Sequence, residues 1–584
     1  MNLIRLFANV PRSLLAAVFV VFALLAMRVV TTGSPIMGSD EYAYFGTAKF
    51  ADDAGTIFQF DPGMQAVGNK VYPLLYSGWE SVSHQDAGSV GRLFNSLLFV
   101  LGAFVLYGIF ARVFDRRSAL YSAILYLLMP VSFYATTLLP EVEFQVSVYL
   151  VTLMVAMAGR KPSYRSIAAA AALSALSYLI KPHAAALICA CGLYWFATGM
   201  LQREGALPRR LARAAGRAAW YFGLSAFFIM AITKLAPGNR AAGGDVVASF
   251  YRSYVERIFD VDFLLANLTG FVDYAGGHLW LLLALFAPGL VFVAASSGRL
   301  MGQAWRAKSG SSPVDEMPDS SYFALYVALL LLAFLAMIAI FTSSAGELSD
   351  FEKFRLHGRY LAPLLPLLLG CSVWAVAQRP GRLVPLLGLA ALVAFVFVGR
   401  GLYKIFPWDY PDAFGLFGPS LHYWGFTGAS TWTVWVILLA GILGYLAQAC
   451  GVRARLSYMA FVLVVALASH TQMWRWLDFH VESNRSTVAA ADAIETYLGD
   501  APTGSGLVLT LDRYGQAPYL LMGLDHPQFV RAASNGQVVA AKDIPAGVRW
   551  IVAPQAAQLV VPDASERSFG NQRLYLLKQS QAND

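Results

Sequence analysis

Ser321 to Thr342 reads SYFALYVALLLLAFLAMIAIFT, 22 residues without one charged side chain. As a helix such a run is about 33 Å long, enough to cross a hydrocarbon core of roughly 30 Å. Comparable apolar runs recur along the chain as far as residue 476. A membrane strand would alternate apolar and polar residues over about ten positions, and no such alternation dominates. Of the 584 residues 58% are hydrophobic and 13% charged, and the mean hydropathy is +0.55. That leaves too little polar surface to cover soluble domains of this length. The chain reads as an α-helical polytopic membrane protein.

Thirteen transmembrane helices are expected, near residues 12–32, 91–112, 118–138, 140–159, 165–181, 183–200, 217–235, 278–297, 321–342, 359–377, 383–400, 429–449 and 457–476. Charge orients them. With the N-terminus in the cytoplasm, the inner loops carry Arg116 and Arg117, Arg160 and Lys161, Arg209 with Arg210, Arg213 and Arg217, Arg299 with Arg306 and Lys308, Arg379 with Arg382, and Arg453 with Arg455. Every short loop on that side is basic, as the positive-inside bias requires. The net charge of +8 is therefore mostly a topology signal and not a continuous patch for nucleic acid. The first span is too long for a cleaved signal peptide and lacks a small-residue cleavage site, so it reads as a retained anchor. Cys189, Cys191, Cys371 and Cys450 fall in spans or at their inner ends, which suggests neither a disulfide framework nor an external zinc site.

An odd number of spans places the tail outside. Two domains are expected: a membrane domain over 1–477 that includes an outer loop at 33–90, and an extracytoplasmic α/β domain over 478–584. In the tail, Ser486 to Leu498 reads as a helix, and Gly506 to Asp512, Val548 to Ala553 and Arg573 to Lys578 as strands. The tail carries no nucleotide fingerprint. The outer loop 33–90 mixes aromatic with polar residues, which suits short interfacial helices.

Ionisable residues near the outer ends of spans carry a free-energy cost unless they are paired, wet or used. Asp40 and Glu41 follow the first span, and Lys70 lies in the same loop in Asn69-Lys70-Val71-Tyr72-Pro73. Glu141 and Glu143 sit at one outward turn, Lys181 and His183 at the next, and His357, Arg359 and Tyr360 open a late span. All fall on one side under a topology drawn from other residues. Glu141 and Glu143 are two apart, so on a helix they point to different faces and one of them faces the cavity. Carboxylates and cations together suit glycosyl transfer from a lipid-linked phosphosugar. A carboxylate takes the acceptor hydroxyl proton, and cations stabilise charge on the departing phosphate.

Ser39-Asp40-Glu41, the segment Lys70 to Tyr76, and Gly358-Arg359-Tyr360-Leu361-Ala362-Pro363 resemble the GT-C glycosyltransferases. These integral membrane enzymes include the protein O-mannosyltransferases, the lipid A aminoarabinose transferases and bacterial arabinofuranosyltransferases. The architectural resemblance covers roughly residues 1 to 480. It implies a GT-C-like fold and inverting transfer from a polyprenyl-phosphate sugar to a glycan, lipid or protein acceptor at the outer face of a bacterial cytoplasmic membrane.

By the same resemblance, Asp40 is the general base, Glu41 supports it or the acceptor, and Glu141 is a second acidic position that orients the acceptor or helps hold a divalent cation. The resemblance also sets Lys70, Arg359 and Tyr360 at the donor phosphate; on the glycosyltransferase reading Lys181 joins them there, and Tyr72, His183 and His357 are expected to line the substrate site. Val71 and Tyr72 separate Lys70 from Pro73, a departure from the Lys-Pro-Pro-Leu run of many relatives. No cofactor is required; Mg, Mn or Ca is compatible with the phosphate chemistry. Simpler roles stand beside these: an N-cap for Asp40, a snorkelling cation for Lys70, a flanking anchor for Arg359, solvation of an outward turn for Lys181 and His183, and a local hydrogen bond for His357. Two other functions fit a chain of this type, a transporter or flippase of lipid-linked sugars and a polysaccharide polymerase or ligase. Charge concentrated at one surface argues against the first, and the early Asp-Glu pair against the second.

Overall fold

The structure, a computed structural model, describes residues 10–32, 87–160, 162–202, 206–235, 260–306, 317–346, 358–378, 381–397 and 429–499, and in the tail 506–510, 527–532, 538–540, 547–561 and 564–577 with residues 524, 542 and 544. The helices are α1 (Arg12–Thr32), α2 (Ala87–Val113), α3 (Arg116–Leu127), α4 (Glu141–Ala158), α5 (Tyr164–Ile180), α6 (Ala185–Leu201), α7 (Leu207–Leu235), α8 (Val261–Ala266), α9 (Leu268–Arg306), α10 (Asp319–Gly346), α11 (Gly358–Leu361), α12 (Leu365–Ala377), α13 (Leu383–Phe397), α14 (Ala429–Ala449) and α15 (Ala454–Leu498). Each of the thirteen expected segments coincides with helix. Among the described residues, eight helices are long and apolar enough to cross a membrane and four more are shorter apolar helices. The chain is a multi-pass membrane protein.

The remaining segment departs from expectation. Residues 118–138 do not form one straight span: α3 is followed by a 3-10 helix, Pro130–Thr136, bent from it by 56°. Pro130 lacks the N–H that would continue the ladder, and within a membrane the carbonyls left outside regular helix at the break and beyond the 3-10 helix need partners. Those of Leu128, Ala135, Thr137 and Leu139 find them on other elements. Asn95 Nδ2 of α2 donates to the carbonyls of Thr137 at 2.8 Å and Leu139 at 3.3 Å, and Ser96 Oγ donates to that of Ala135 at 2.8 Å. His470 Nε2 of α15 lies 2.9 Å from the Leu128 carbonyl.

A second break bends α9, where Phe286 leaves helical geometry ahead of Pro288. The lack of an N–H at Pro288 releases the Ala284 carbonyl, which accepts from Tyr445 Oη at 2.9 Å. The Gly289 N–H turns away to Ser372 Oγ at 3.0 Å. That frees the Leu285 carbonyl, which accepts from Tyr458 Oη at 3.0 Å. Helices α12, α14 and α15 thus complete the backbone of α9. The same break requires a glycine, because a Cβ on Gly289 would lie 2.7 Å from the Leu368 carbonyl oxygen and 2.8 Å from the Ser372 nitrogen.

Asp115 caps α3, accepting from the backbone N–H groups of Arg117 at 3.0 Å and Ser118 at 2.9 Å. Burial acts to raise its carboxyl, but the Ser118 hydrogen bonds and the charge of Arg455 outweigh burial and hold it below the ordinary carboxylate value.

The expected helix at 486–498 is the last part of α15, which runs unbroken for 45 residues through position 477. No Gly or Pro interrupts it until Gly499, whose φ of 55° ends the helix. The tail strands are β1 (Gly506–Thr510), β2 (Pro527–Ala532), β3 (Val538–Ala540), β4 (Trp550–Pro554), β5 (Gln558–Val560), β6 (Ser565–Phe569) and β7 (Gln572–Leu576). A five-stranded sheet has the order β2-β1-β4-β7-β6, and β3 pairs with β5. Strand β1 is parallel to β2 and β4, whereas β7 is antiparallel to β4 and β6. Alternation along the strands sends Val508, Trp550, Val552 and Leu574 to one face, packed on Ala491 and Ile494 of α15. Leu507, Leu509, Ile551 and Tyr575 form a second core on the other face.

Gly289→Ala is expected to destabilise the protein by about 1–3 kcal/mol, read as a lower Tm in detergent. Gly298→Ala, in the same helix where a Cβ meets nothing within 4 Å, is expected to leave Tm unchanged or slightly raised.

Candidate active site

The ends of helices supply the site, because there the chain can turn and present charge without crossing hydrocarbon. Glu141 is the first residue of α4, set by the preceding Pro140, whose carbonyl accepts the first helical bond from the Phe144 N–H at 2.9 Å. A carboxylate at that position suits the partial positive charge of a helix N-terminus. Lys181 ends α5 with extended backbone (φ −149°, ψ 121°) because Pro182 follows. His183 lies in the 3-10 turn Pro182–Ala184 that opens the next span. Arg359 and Tyr360 belong to the four-residue α11.

Tertiary packing brings these segments to one point. Lys181 Nζ lies 2.5 Å and Arg359 Nε 3.1 Å from Oε1 of Glu141. The Lys181 and Glu141 side chains are each 2% exposed and that of Arg359 is 10% exposed, so water screens the cluster little. The Tyr360 ring stacks on the His183 imidazole at 4.3 Å, with Phe341 of α10 edge-on at 5.5 Å. Lys181 Nζ and Arg359 Cζ stand 5.5 and 5.8 Å from the centre of the same ring, within reach of its negative face. Tyr360 therefore touches both cations and the histidine.

Of the expected site residues, Glu141, Lys181, His183, Arg359 and Tyr360 come together here. Asp40, Glu41, Lys70, Tyr72 and His357 lie outside the described residues. Of the two neighbouring acids, Glu141 reaches the cations. Glu143 is buried with neither carboxylate oxygen hydrogen-bonded among the described residues. Phe341 was not anticipated; its signal is an aromatic residue at the end of the apolar run 321–342. Among the described residues no group of three or more His, Cys, Asp or Glu side chains is placed to hold a metal ion.

A different ionic cluster marks the other end of α4. Asp319 accepts from Arg112 Nη1 at 2.8 Å and Arg160 Nε at 3.0 Å, joining α2, the turn after α4 and the start of α10. The 18 residues of α4 span about 27 Å. The Glu141 cluster and the Asp319 cluster thus stand at opposite ends of α4.

A bundle of apolar helices with a buried cluster of opposite charges at one end is the architecture of a multi-pass membrane protein whose buried charge is gathered at the ends of its spans. Residues 72–230, a little over a quarter of the chain, match the family model described as dolichyl-phosphate-mannose-protein mannosyltransferase. This match bears out the GT-C resemblance read from the short motifs. The chain is also similar to the crystal structure of ArnT from Cupriavidus metallidurans bound to undecaprenyl phosphate. The two share 15% identity, with 98% of each chain covered and a TM-score of 0.47. It is similar as well to the archaeal oligosaccharyltransferase AglB from Archaeoglobus fulgidus in complex with an inhibitory peptide and a dolichol-phosphate. There the identity is 13%, 92% of this chain and 69% of that chain are covered, and the TM-score is 0.39. No curated protein matches the chain in sequence.

Removing one partner of a buried ion cluster leaves the others poorly compensated. Lys181→Met is expected to lower stability by about 3 kcal/mol, the low end for a broken buried pair because Arg359 still faces Glu141. Arg485→Ala breaks an exposed pair with Glu482 and is expected to change stability by less than about 0.5 kcal/mol. Thermal melts of the two purified variants against the parent check both.

Proposed function

We propose that this protein is an inverting glycosyltransferase that moves a sugar from a polyprenyl-phosphate-linked donor to a cell-envelope glycan, lipid or protein acceptor. The reaction is placed at the outer face of a bacterial cytoplasmic membrane, with the N-terminus inside and the tail domain outside. The observation that carries the reading is the buried meeting of Lys181 and Arg359 at Glu141, at the end of α4 opposite Arg112 and Arg160. A phosphate held there would have two charge-assisted donors, one of them a guanidinium able to fork onto two oxygens. The family-model match over residues 72–230 supports the same donor chemistry, since its description names a dolichyl-phosphate sugar.

A small apolar recess in the bundle offers an apolar wall to the lipid part of such a donor. Met129, Pro130, Leu285, Phe286, Leu365 and Phe461 are among the residues that line it. It lies where both proline breaks open the bundle.

In the reaction, the acceptor oxygen attacks the anomeric carbon on the face opposite the phosphate. Asp40 takes the hydroxyl proton, the bond from the anomeric carbon to the phosphate oxygen breaks, and the lipid phosphate leaves with the electron pair. Lys181 and Arg359 stabilise the charge that grows on it. A phosphate is already a weak base, so the step needs no strong general acid. A divalent cation near the same oxygens would add to their neutralisation.

Asp40→Asn is expected to lower transfer by about 10²- to 10⁴-fold while leaving the protein folded and inserted. Mass spectrometry of polyprenyl-phosphate sugars and surface glycans checks this in cells with the parent protein, none, or the variant. Build-up of one lipid-phosphate sugar with loss of one surface sugar is expected in both the null and the variant. Unchanged pools despite confirmed expression would overturn the reading.

A further inference from the structure

Two cations of the site approach one atom. Lys181 Nζ and Arg359 Nε approach the same oxygen, Oε1 of Glu141, at 2.5 and 3.1 Å. The other oxygen, Oε2, is buried and has no hydrogen-bond partner among the described residues. A carboxylate built solely to lock an arginine would offer both oxygens to its fork. A single oxygen bridging two cations from separate segments reproduces instead how one terminal phosphate oxygen is held.

The segments that carry the cations are short. Lys181 sits in the non-helical break between α5 and α6, and Arg359 in the four-residue α11. Neither cation is fixed inside a long helix, so each can shift without disturbing a span. Glu141, by contrast, belongs to α4, whose first turn also carries Glu143. Charge favours an exchange: the phosphate of a lipid-linked sugar is an anion, and the lipid phosphate monoester left after transfer carries up to two negative charges, so either offers the cations an anion in place of Glu141.

We propose that Glu141 is the resident anion of the donor-phosphate subsite. It holds Lys181 and Arg359 while no lipid phosphate is bound, and it yields them when one binds. The inference rests on the phosphate reading of the site given above. It makes phosphate binding a competition with an internal carboxylate. Glu141 spares the bundle the cost of two buried cations without its counter-charge, and its return to them helps expel the lipid phosphate after transfer.

The test uses the full-length protein in nanodiscs with undecaprenyl phosphate as the probe and the neutral polyprenol of the same length as control. Dissociation constants and ligand-induced shifts in Tm are measured for the parent, Glu141→Gln and Lys181→Met. Glu141→Gln removes the competing charge at nearly constant shape. It is expected to melt lower without ligand, to bind the lipid phosphate about tenfold more tightly and to show a larger rise in Tm on binding. Lys181→Met is expected to bind about tenfold more weakly. Binding by Glu141→Gln that is unchanged or weaker than the parent's, with Lys181→Met still weakened, overturns the inference and leaves the phosphate reading standing. Equal tightening toward the polyprenol also overturns it, because the effect would then not concern charge. A parent that binds no lipid phosphate would sink the phosphate reading itself, and the inference with it. If Glu141→Gln does not survive purification, Glu141→Asp keeps the charge but withdraws it by one methylene. It is expected to tighten binding by about twofold, and no tightening overturns the inference.

Discussion

Hydrocarbon offers no partner to a backbone N–H, a carbonyl or a charge, and the architecture of this protein follows from that constraint. Regular helix satisfies the backbone within each span. Where regular helix is interrupted, side chains of neighbouring helices take carbonyls left outside the ladder: Asn95 and Ser96 beyond the break after α3, Tyr445 and Tyr458 at the break in α9. The breaks are thus points where helices distant in sequence depend on one another.

The same constraint sends charge to the ends of spans and pairs it there. One end of α4 carries Glu141 with Lys181 and Arg359; the other carries Asp319 with Arg112 and Arg160. The two clusters differ in burial. The side chains around Asp319 are about a third exposed, whereas those of Glu141 and Lys181 are almost fully enclosed. Enclosure strengthens every interaction with a bound anion and makes an empty cradle costly. A buried acid between two buried cations resolves that tension. Tyr360 and His183 complete the enclosure with an aromatic stack that contributes no net charge of its own in the neutral histidine form.

Most of the membrane fold was legible in the sequence because span length and hydropathy are local properties. Thirteen apolar segments were expected and each is helical. Less was legible where a local signal has two readings. Pro130 and Pro288 each sit in apolar runs, and only the surrounding side chains decide whether such a run stays straight. In the tail, β1, β4 and β7 stood out as apolar strands. The others did not: β6, Ser565–Phe569, is polar, and β3 and β5 are three residues each. A polar edge strand takes its structure from its neighbour rather than from its own pattern. The continuity of α15 through position 477 was not legible because a change in hydropathy does not end a helix; Gly499 does.

For the site, the residue types and their placement near span ends were readable, because charges near hydrocarbon are few and each needs a reason. Glu141, Lys181, His183, Arg359 and Tyr360 could be marked as candidates from sequence position alone. That Lys181 and Arg359 meet on a single oxygen of Glu141, and that Glu143 two residues away does not join them, was decided by tertiary structure. The three segments lie up to 218 positions apart, and their meeting depends on how α4, α5 and α10 pack around them. Sequence by itself determined that these charges must be compensated near a membrane surface; only the packed bundle decided which atom compensates which, because the direction of a side chain is set by the helices that surround it.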